Sequence, residues 1–385
     1  MIVLIALLAF WPERALATPF VPKSDGQILE RLRTTPADPE ARELRTLHAE
    51  LARSPQNLPV ALNLARRYIE RGRTEADPRY NGYAQAALKP WWDQAKPPAT
   101  VLVLRATLRQ SSHDFKGALS DLDQAIEASP RDSQAWVTRA SVRQVLGDYE
   151  RAKRDCLPLL QLSTQLVGVT CLSSIASLNG QATRSYSLLE RVLTGSPNAT
   201  VTEKLWARTV LAEIAVRTGN AAAETHFQQA MALGADTYLL GAYADFLLDQ
   251  GRPREVVKLL QDQTRIDALL LRLALAEQAL GLPAFETHRT DLAARFEASR
   301  LRKDVVHRRE EARFALELLK QPQVALELAR ANWAVQHEPA DARLLLTAAR
   351  AAGAPEAARP VLDWLTQTRL EDVQLAKLSK PGGQV

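Results

Sequence analysis

The chain has 385 residues, of which 46% are hydrophobic and 24% charged, with a formal net charge of +5. This charge is small for the length, and the sequence has no basic arm or basic stripe interleaved with aromatic residues, which excludes nucleic acid as the expected partner. Alanine and leucine are frequent and strand-type alternation is scarce, so the composition predicts an all-α protein.

The first 17 residues resemble a secretory signal peptide. Ile2 to Trp11 is an apolar run, and Ala15-Leu16-Ala17 has the small-x-small form of a signal-peptidase site. Ten helical residues span about 15 Å, half of a hydrocarbon core of about 30 Å, so no transmembrane span is expected. No positive charge precedes the run, and a buried core helix is the alternative. The segment predicts cleavage near Ala17 and a periplasmic or secreted location.

Residues 18–57 form a polar segment followed by a helix from Pro39 to Ala52. Residues 58–98 read as a degenerate first repeat whose turn, Gly72 to Tyr83, is enlarged. This region is rich in aromatic residues that either seal the hairpin or form a grafted binding site: Tyr80, Tyr83, Trp91 and Trp92.

Residues 99–200 contain the clearest internal repeat. Arg105 to Gln110 (RATLRQ) and Arg139 to Gln144 (RASVRQ) are near-copies 34 positions apart, and the match extends through a whole unit. Each unit reads as two helices joined by a short turn. A single helical hairpin would leave an apolar face in water, so neighbouring hairpins must stack into a solenoid.

The register resembles the tetratricopeptide repeat family, here of an exported bacterial type. The resemblance implies a right-handed superhelical solenoid of antiparallel helix pairs. Arginine stands at the family's Leu and Tyr positions, and Cys156 stands where an aromatic residue is usual. The matching positions are Leu102, Arg105-Ala106, Arg109, Ala118, Leu122, Ala125 and Pro130 in one unit, and Trp136, Arg139-Ala140, Arg143, Ala152, Cys156 and Leu159 in the next.

Residues 201–370 read as degenerate repeats, for a total of about eight hairpins. Residues 371–385 end in Lys380-Pro381-Gly382-Gly383 and are predicted to be a disordered tail. The turns are marked by recurring glycines, at Gly147, Gly180, Gly219, Gly251, Gly281 and Gly353.

The resemblance also implies a concave binding surface lined by the first helix of each hairpin. Its residues are small, hydroxyl-bearing or mildly apolar, which suits an extended or helical protein segment. The surface largely lacks the cationic donors that clamp a terminal carboxylate, and a merely solvated inner face is the alternative. The predicted lining residues are Thr100, Val103, Thr107, Gln110, Gln134, Val137, Ser141 and Gln144.

Each clear repeat carries an arginine and an aspartate 16 residues apart, Arg105 with Asp121 and Arg139 with Asp155. Equal offsets in repeated units predict an ion pair that bridges the two helices of each hairpin. A basic patch for an acidic partner is the alternative. A later positive cluster is predicted to be mainly a solvated helix face. The alternative is an acidic contact at Arg302, Arg309 and Arg313, which share one face of the helix. The whole cluster consists of Arg300, Arg302, Lys303, His307, Arg308, Arg309 and Arg313.

The only two cysteines, Cys156 and Cys171, fall on helices that neighbour each other in a solenoid. An oxidising compartment favours a disulfide between them. Two buried thiols are the alternative, because cysteine behaves as a small hydrophobic residue.

Signatures of catalysis are missing from the sequence. The six histidines are dispersed, and no HExxH, phosphate-binding glycine loop or G-x-S-x-G is present. The sequence therefore predicts no enzyme, metal or cofactor. The preferred hypothesis is a periplasmic scaffold that binds a protein of the cell envelope. The alternative is an accessory module of polysaccharide or peptidoglycan machinery that contacts glycan through its aromatic residues.

Overall fold

A computed structural model describes residues 38–380 and the single residue Ser24. Across this part of the chain the secondary structure is helical, without a β-strand. The predicted all-α solenoid of antiparallel helix pairs is confirmed. The predicted signal peptide and the last five residues lie outside the described part.

The N-terminal region is more helical than predicted. It contains α1 (Pro39–Arg53), α2 (Leu58–Glu75), α3 (Arg79–Ala87) and α4 (Lys89–Trp92). The prediction of an enlarged turn from Gly72 to Tyr83 is wrong, because α2 continues to Glu75 and only three residues separate α2 from α3. An ion pair between Arg71 and Glu75, one helical turn apart with Nε–Oε1 at 2.7 Å, supports the extra turn of α2.

Nine helical hairpins follow one another from α2 onward, and hairpin 1 is α2 with α3 and α4. Hairpin 2 is α5 (Ala99–Ser111) with α6 (Phe115–Ala128), and hairpin 3 is α7 (Ser133–Val145) with α8 (Tyr149–Cys156) and α9 (Leu159–Leu162). Hairpin 4 is α10 (Gln165–Ser177) with α11 (Ala182–Thr194), and hairpin 5 is α12 (Val201–Thr218) with α13 (Ala223–Leu233).

Hairpins 6 to 9 are less regular, and a short last helix follows them. Hairpin 6 is α14 (Thr237–Asp249) with α15 (Pro253–Leu260), and hairpin 7 is α16 (Asp267–Leu280) with α17 (Ala284–Leu301). In hairpin 8, α18 (Arg308–Arg313) and a π-helical turn (Phe314–Leu318) pair with α19 (Pro322–Trp333). In hairpin 9, α20 (Pro339–Ala351) pairs with a 3₁₀ turn (Pro355–Ala358) and α21 (Arg359–Thr368), and the last helix is α22 (Val373–Leu378).

Local chemistry sets the turns between paired helices. In hairpin 2 the turn residue His113 is left-handed (φ 60°), and Gly147 takes the same conformation in hairpin 3 (φ 75°). The next residue caps the second helix: the Asp114 carboxylate accepts a hydrogen bond from the Gly117 amide at 2.9 Å. Buried Ala106 and Ala118 then allow the two helices to approach closely.

The chain folds back on itself at its C-terminal end. The His337 amide donates to the Val145 carbonyl at 2.7 Å, and the Tyr149 hydroxyl donates to the His337 carbonyl at 3.2 Å. Hairpins 3 and 4 share one apolar core with hairpins 8 and 9 and α22. On another side, α2 packs against α14. Distant hairpins thus contact one another across the interior of the superhelix.

The prediction of a disordered tail from residue 371 is wrong for residues 371–380, which are ordered and include α22. Asp372 caps α22 by accepting from the Gln374 and Leu375 amides at 2.9 and 3.0 Å. The Leu375 side chain is buried in the core shared with hairpins 3 and 4. The Pro-Gly-Gly sequence that suggested disorder begins only after α22 has ended.

Substituting alanine at Gly180 should destabilise the protein more than the same change at Gly281. Both glycines are left-handed (φ 70° and 64°), so each substitution carries a backbone penalty of about 1–2 kcal/mol. A Cβ at Gly180 would lie 3.1 Å from the Cβ of Arg369, whereas nothing lies within 4 Å at Gly281. Urea unfolding of the two variants measures the difference, and equal losses would show that the C-terminal residues do not press on this turn.

Candidate functional site: the concave surface

The first of two clefts on the inner surface of the superhelix lies between the first helices of hairpins 1, 2 and 3. Its volume is about 200 Å³. Three of the predicted lining residues, Thr100, Val103 and Gln134, border it. The other lining residues are Arg66, Leu104 and Asp132.

The second cleft lies where hairpins 2, 3 and 6 meet the C-terminal hairpins. Its volume is about 260 Å³, and one predicted residue, Gln110, borders it. The other lining residues come from segments far apart in the chain and were not predicted: His113, Phe115, Val145, Tyr238, Val306, Arg309, Glu310, Gln336 and Glu338.

The remaining four predicted residues do not line either cleft. The Thr107 and Ser141 hydroxyls donate to carbonyls of their own helices, those of Val103 and Val137, both at 3.0 Å. The Gln144 side-chain oxygen accepts from the Ser174 hydroxyl at 3.1 Å. Val137 packs against the core that hairpins 3 and 4 share with the C-terminal hairpins. The repeat register therefore places half of the predicted set at the clefts.

Arg309 and Tyr238 of the second cleft bind acidic residues of the same chain. Arg309 Nε lies 2.5 Å from Asp341 Oδ1, and its Nη2 also contacts Glu338. The Tyr238 hydroxyl donates to Glu213, and the negative charge of Glu213 raises the pKa of Tyr238 well above its usual value. Burial and the nearby Arg309 lower the pKa of His113, which favours the neutral imidazole.

Ion pairs close the concave surface of hairpins 6 to 9. Asp245 contacts Arg272 through Oδ2 at 2.5 Å and Arg313 through Oδ1 at 2.6 Å. Burial alone would raise the pKa of Asp245, but the two guanidinium groups outweigh it and lower this pKa to about 2. One turn further along α14, Asp249 pairs with Arg343 at 2.6 Å. The charged residues on this half of the concave surface therefore form ion pairs with other residues of the same chain.

The late basic cluster divides into two parts. Arg300, Arg302 and Lys303 are exposed, as a solvated face predicts, and Arg302 donates to the Ser299 hydroxyl at 3.2 Å. Arg309 and Arg313 instead contact Asp341 and Asp245, which neutralise them within the chain. Helical periodicity could not reveal these partners, because Asp341 lies on the next hairpin and Asp245 lies two hairpins earlier.

Each of the two clear repeats contains a buried aspartate held by two arginines. Arg105 contacts Asp121 through Nε at 2.9 Å and Nη2 at 2.6 Å, and Arg109 Nη1 adds a third contact at 2.9 Å. The same pattern recurs in the next unit. There Arg139 Nη2 and Arg143 Nη1 lie 2.7 Å from the two oxygens of Asp155. Sequence reasoning missed Arg109 and Arg143, although both repeat at the same offset.

The aromatic residues of hairpin 1 mostly pack within the protein. Trp91 is only 7% exposed. Arg105 lies over the Trp92 ring, 5.8 Å from its centroid, and donates to the Trp92 carbonyl. Tyr83 is 51% exposed, and it packs against the Tyr80 ring at 5.8 Å. The Trp91 ring is therefore too buried to contact a sugar, and Arg105 lies over the Trp92 ring, whereas Tyr83 is exposed. Glycan contact through the aromatic residues stays a prediction.

Cys156 at the end of α8 and Cys171 on α10 lie side by side. Their Cα atoms are 5.7 Å apart and their sulfur atoms are joined in a disulfide. Both residues are buried in the core shared with the C-terminal hairpins. The bond links hairpin 3 to hairpin 4.

Within residues 38–380, no cluster of three or more His, Cys, Asp or Glu side chains could hold a metal ion. No helix in this part of the chain is both long and apolar enough to cross a membrane.

Comparison with known proteins gives matches among solved structures only. No protein-family model and no curated protein matches the chain. A tetratricopeptide repeat protein from Parabacteroides merdae ATCC 43184 is 17% identical, with a TM-score of 0.40 over 66% of this chain and 91% of that one. The APC/C hetero-tetramer Cut9-Hcn1 is 14% identical (TM-score 0.38, 80% and 52% covered), and yeast Tom70 is 11% identical (TM-score 0.26, 88% of both). The assignment of repeats rests on the chain's own helix pairs.

Proposed function

We propose that this chain is a non-enzymatic scaffold of the bacterial periplasm that binds a segment of an envelope protein on the N-terminal half of its concave surface. The proposal locates binding in the first cleft, between α2, α5 and α7. The reason is that the two halves of the surface differ. Arginine–aspartate pairs close hairpins 6 to 9, whereas Arg66 at the first cleft forms no ion pair with any residue in the described part of the chain.

The groups that border the first cleft support this role. Arg66 is exposed and forms no ion pair with any residue in the described part of the chain, so its charge is available to a partner. The Asp132 carboxylate caps α7 by accepting from the Gln134 amide at 2.9 Å. Thr100 and Gln134 add short polar side chains, and Val103 adds an apolar wall. A cleft of about 200 Å³ takes a few residues of an extended segment, held by main-chain hydrogen bonds and its own side chains.

Filling this cleft with arginine side chains should abolish partner binding. A photo-crosslinking residue at Thr100 would first identify the bound protein in intact cells. The purified partner should then bind the Thr100→Arg, Gln134→Arg double variant at least about tenfold more weakly than the wild-type chain, because two added charged side chains block the cleft.

A matched control has Gln124→Arg on α6, an exposed position on the second helix of hairpin 2. It adds the same kind of side chain away from the cleft and should leave affinity unchanged. Crosslinking from position 124 but not from position 100, or wild-type affinity in the double variant, would refute the proposed surface.

A further inference from the structure

Residues 369–378, here called the C-terminal strap, lie along the turns of hairpins 4 and 5. At Gly180 a Cβ would be 3.1 Å from the Cβ of Arg369, and at Gly219 it would be 3.6 Å from the Val373 side chain. Gly251, Gly281 and Gly353 mark other turns and have nothing within 4 Å. The strap therefore covers two of these turns while three equivalent turns stay open.

The main polar contact of the strap is made by Glu371 at the beginning of α11. Its carboxylate accepts from the Ala182 amide at 2.9 Å, from the Thr183 amide at 3.4 Å and from the Thr183 hydroxyl at 3.0 Å. The residue that precedes α11, Gln181, makes no capping hydrogen bond with its own side chain. A carboxylate 189 positions away in sequence thus caps this helix, where free amides and the helix dipole favour negative charge.

A second, less complete polar contact involves Asp372 and Arg217. Arg217 Nη2 donates to the Ser177 hydroxyl at 2.7 Å, but its buried Nε has no hydrogen-bond partner. The Asp372 carboxylate caps α22 and forms no ion pair with a residue of the described chain. Burial raises the pKa of Asp372, and the positive charge of Arg217 opposes that shift. Unsatisfied buried polar groups weaken an interface, so this contact holds the strap loosely.

The apolar anchor of the strap consists of three leucines. Leu375 is its one buried side chain, at 2% exposure, and the partly buried Leu370 and Leu378 pack against the same core. Two other cores, one joining hairpin 2 to α7 and one joining α10, α11 and α12, do not involve the strap. Detaching the strap exposes these leucines and one helix cap and leaves the two other cores intact.

We propose that the strap is an internal ligand of the turn edge of hairpins 4 and 5, and that this edge binds an acidic segment of a partner protein. The partner's carboxylates would replace Glu371 at the α11 amides and Asp372 beside Arg217. This edge is separate from the first cleft, so the proposal does not depend on the function assigned to that cleft. The hydrogen-bond donors of this edge are neutral backbone amides, and one arginine supplies a positive charge.

The experiment supplies the strap in trans as a labelled synthetic peptide that covers residues 368–379. The full-length chain carrying Glu371→Lys and Leu375→Asp has its own strap displaced, so it should bind this peptide at least about tenfold more tightly than the wild-type chain does. A peptide with Glu371→Lys should bind that variant at least about tenfold more weakly. A peptide with Lys377→Gln, altered at an exposed position, should bind like the unaltered one.

Hydrogen exchange of the unmodified chain provides an independent measurement. The amides of Ala182 and Thr183 and those of the strap should exchange together and at least about tenfold faster than the amides of α5. Exchange of these amides as slow as that of α5 would mean that the strap opens only with global unfolding and would overturn the proposal. Equal binding of both peptides, or no binding to a folded displaced-strap variant, would overturn it as well. If that variant does not fold, the exchange result decides.

Discussion

Replacing Asp121 by alanine should lower the free energy of unfolding by about 3–5 kcal/mol, the usual loss when one partner of a buried ion pair is removed. The Asp121 side chain is only 1% exposed and accepts hydrogen bonds from Arg105 and Arg109. Its removal leaves the largely buried Arg105 guanidinium without a counter-charge. Urea denaturation followed by circular dichroism measures the change.

Asp123 offers a matched control on the same helix. Its side chain is 58% exposed and contacts Arg139 at 2.7 Å. Alanine at this position removes the same charge and should cost less than about 1 kcal/mol, because solvent screens the pair. Similar losses for both variants would contradict the role of burial.

The double variant Arg105→Leu, Asp121→Leu should recover most of the loss, since it removes both charges and fills the space with apolar groups. The single variants and the double variant form a thermodynamic cycle that isolates the interaction between the two side chains. If the double variant loses as much free energy of unfolding as the two single variants together, the arginine and aspartate do not act as a pair.

Removing the disulfide by Cys156→Ser and Cys171→Ser should destabilise the chain by about 3 kcal/mol, the loop-closure value for about 15 residues. The two cysteines are 15 positions apart in the sequence, so the loop that the disulfide closes has that length. Urea unfolding of the oxidised wild-type chain and of the double variant measures the loss.

A reducing agent provides the control for this prediction. It should destabilise the wild-type chain by a similar amount and leave the double variant unchanged. Two free thiols, titrated in the unfolded and non-reduced protein isolated from its native compartment, would contradict the bond. They would also remove one support for the proposed periplasmic location, because structural disulfides form in oxidising compartments.

Predictions that depended on local chemistry agree best with the structure. His113 and Gly147 occupy equivalent left-handed turn positions, as their alignment in the repeat indicated. The helix predicted from Pro39 begins there, because Asp38 caps it and the proline stands in the first turn, and it ends at Arg53, one residue after its predicted end. Arg105 and Arg139 form ion pairs with the predicted aspartates, because a 16-residue offset determines which residues of two paired helices face each other.

Predictions that treated a polar or glycine-containing stretch as irregular were wrong in two places. Residues 72–75 continue α2, and residues 373–378 form α22. In the second case the helix is stabilised by contacts beyond its own residues: Leu375 enters a distant core, and Glu371 binds the beginning of α11. A six-residue helix is too short to be stable by itself, so local composition could not reveal it.

By itself, the sequence determined that the chain consists of paired helices, where most of their turns lie and which residues bridge a pair. These features depend on neighbours within one 34-residue unit. Only the tertiary structure decided what occupies the inner surface: Arg343 meets Asp249 and His337 meets Val145 across the superhelix. Small rotations between successive hairpins accumulate along a solenoid, and their sum brings together residues that no local pattern connects.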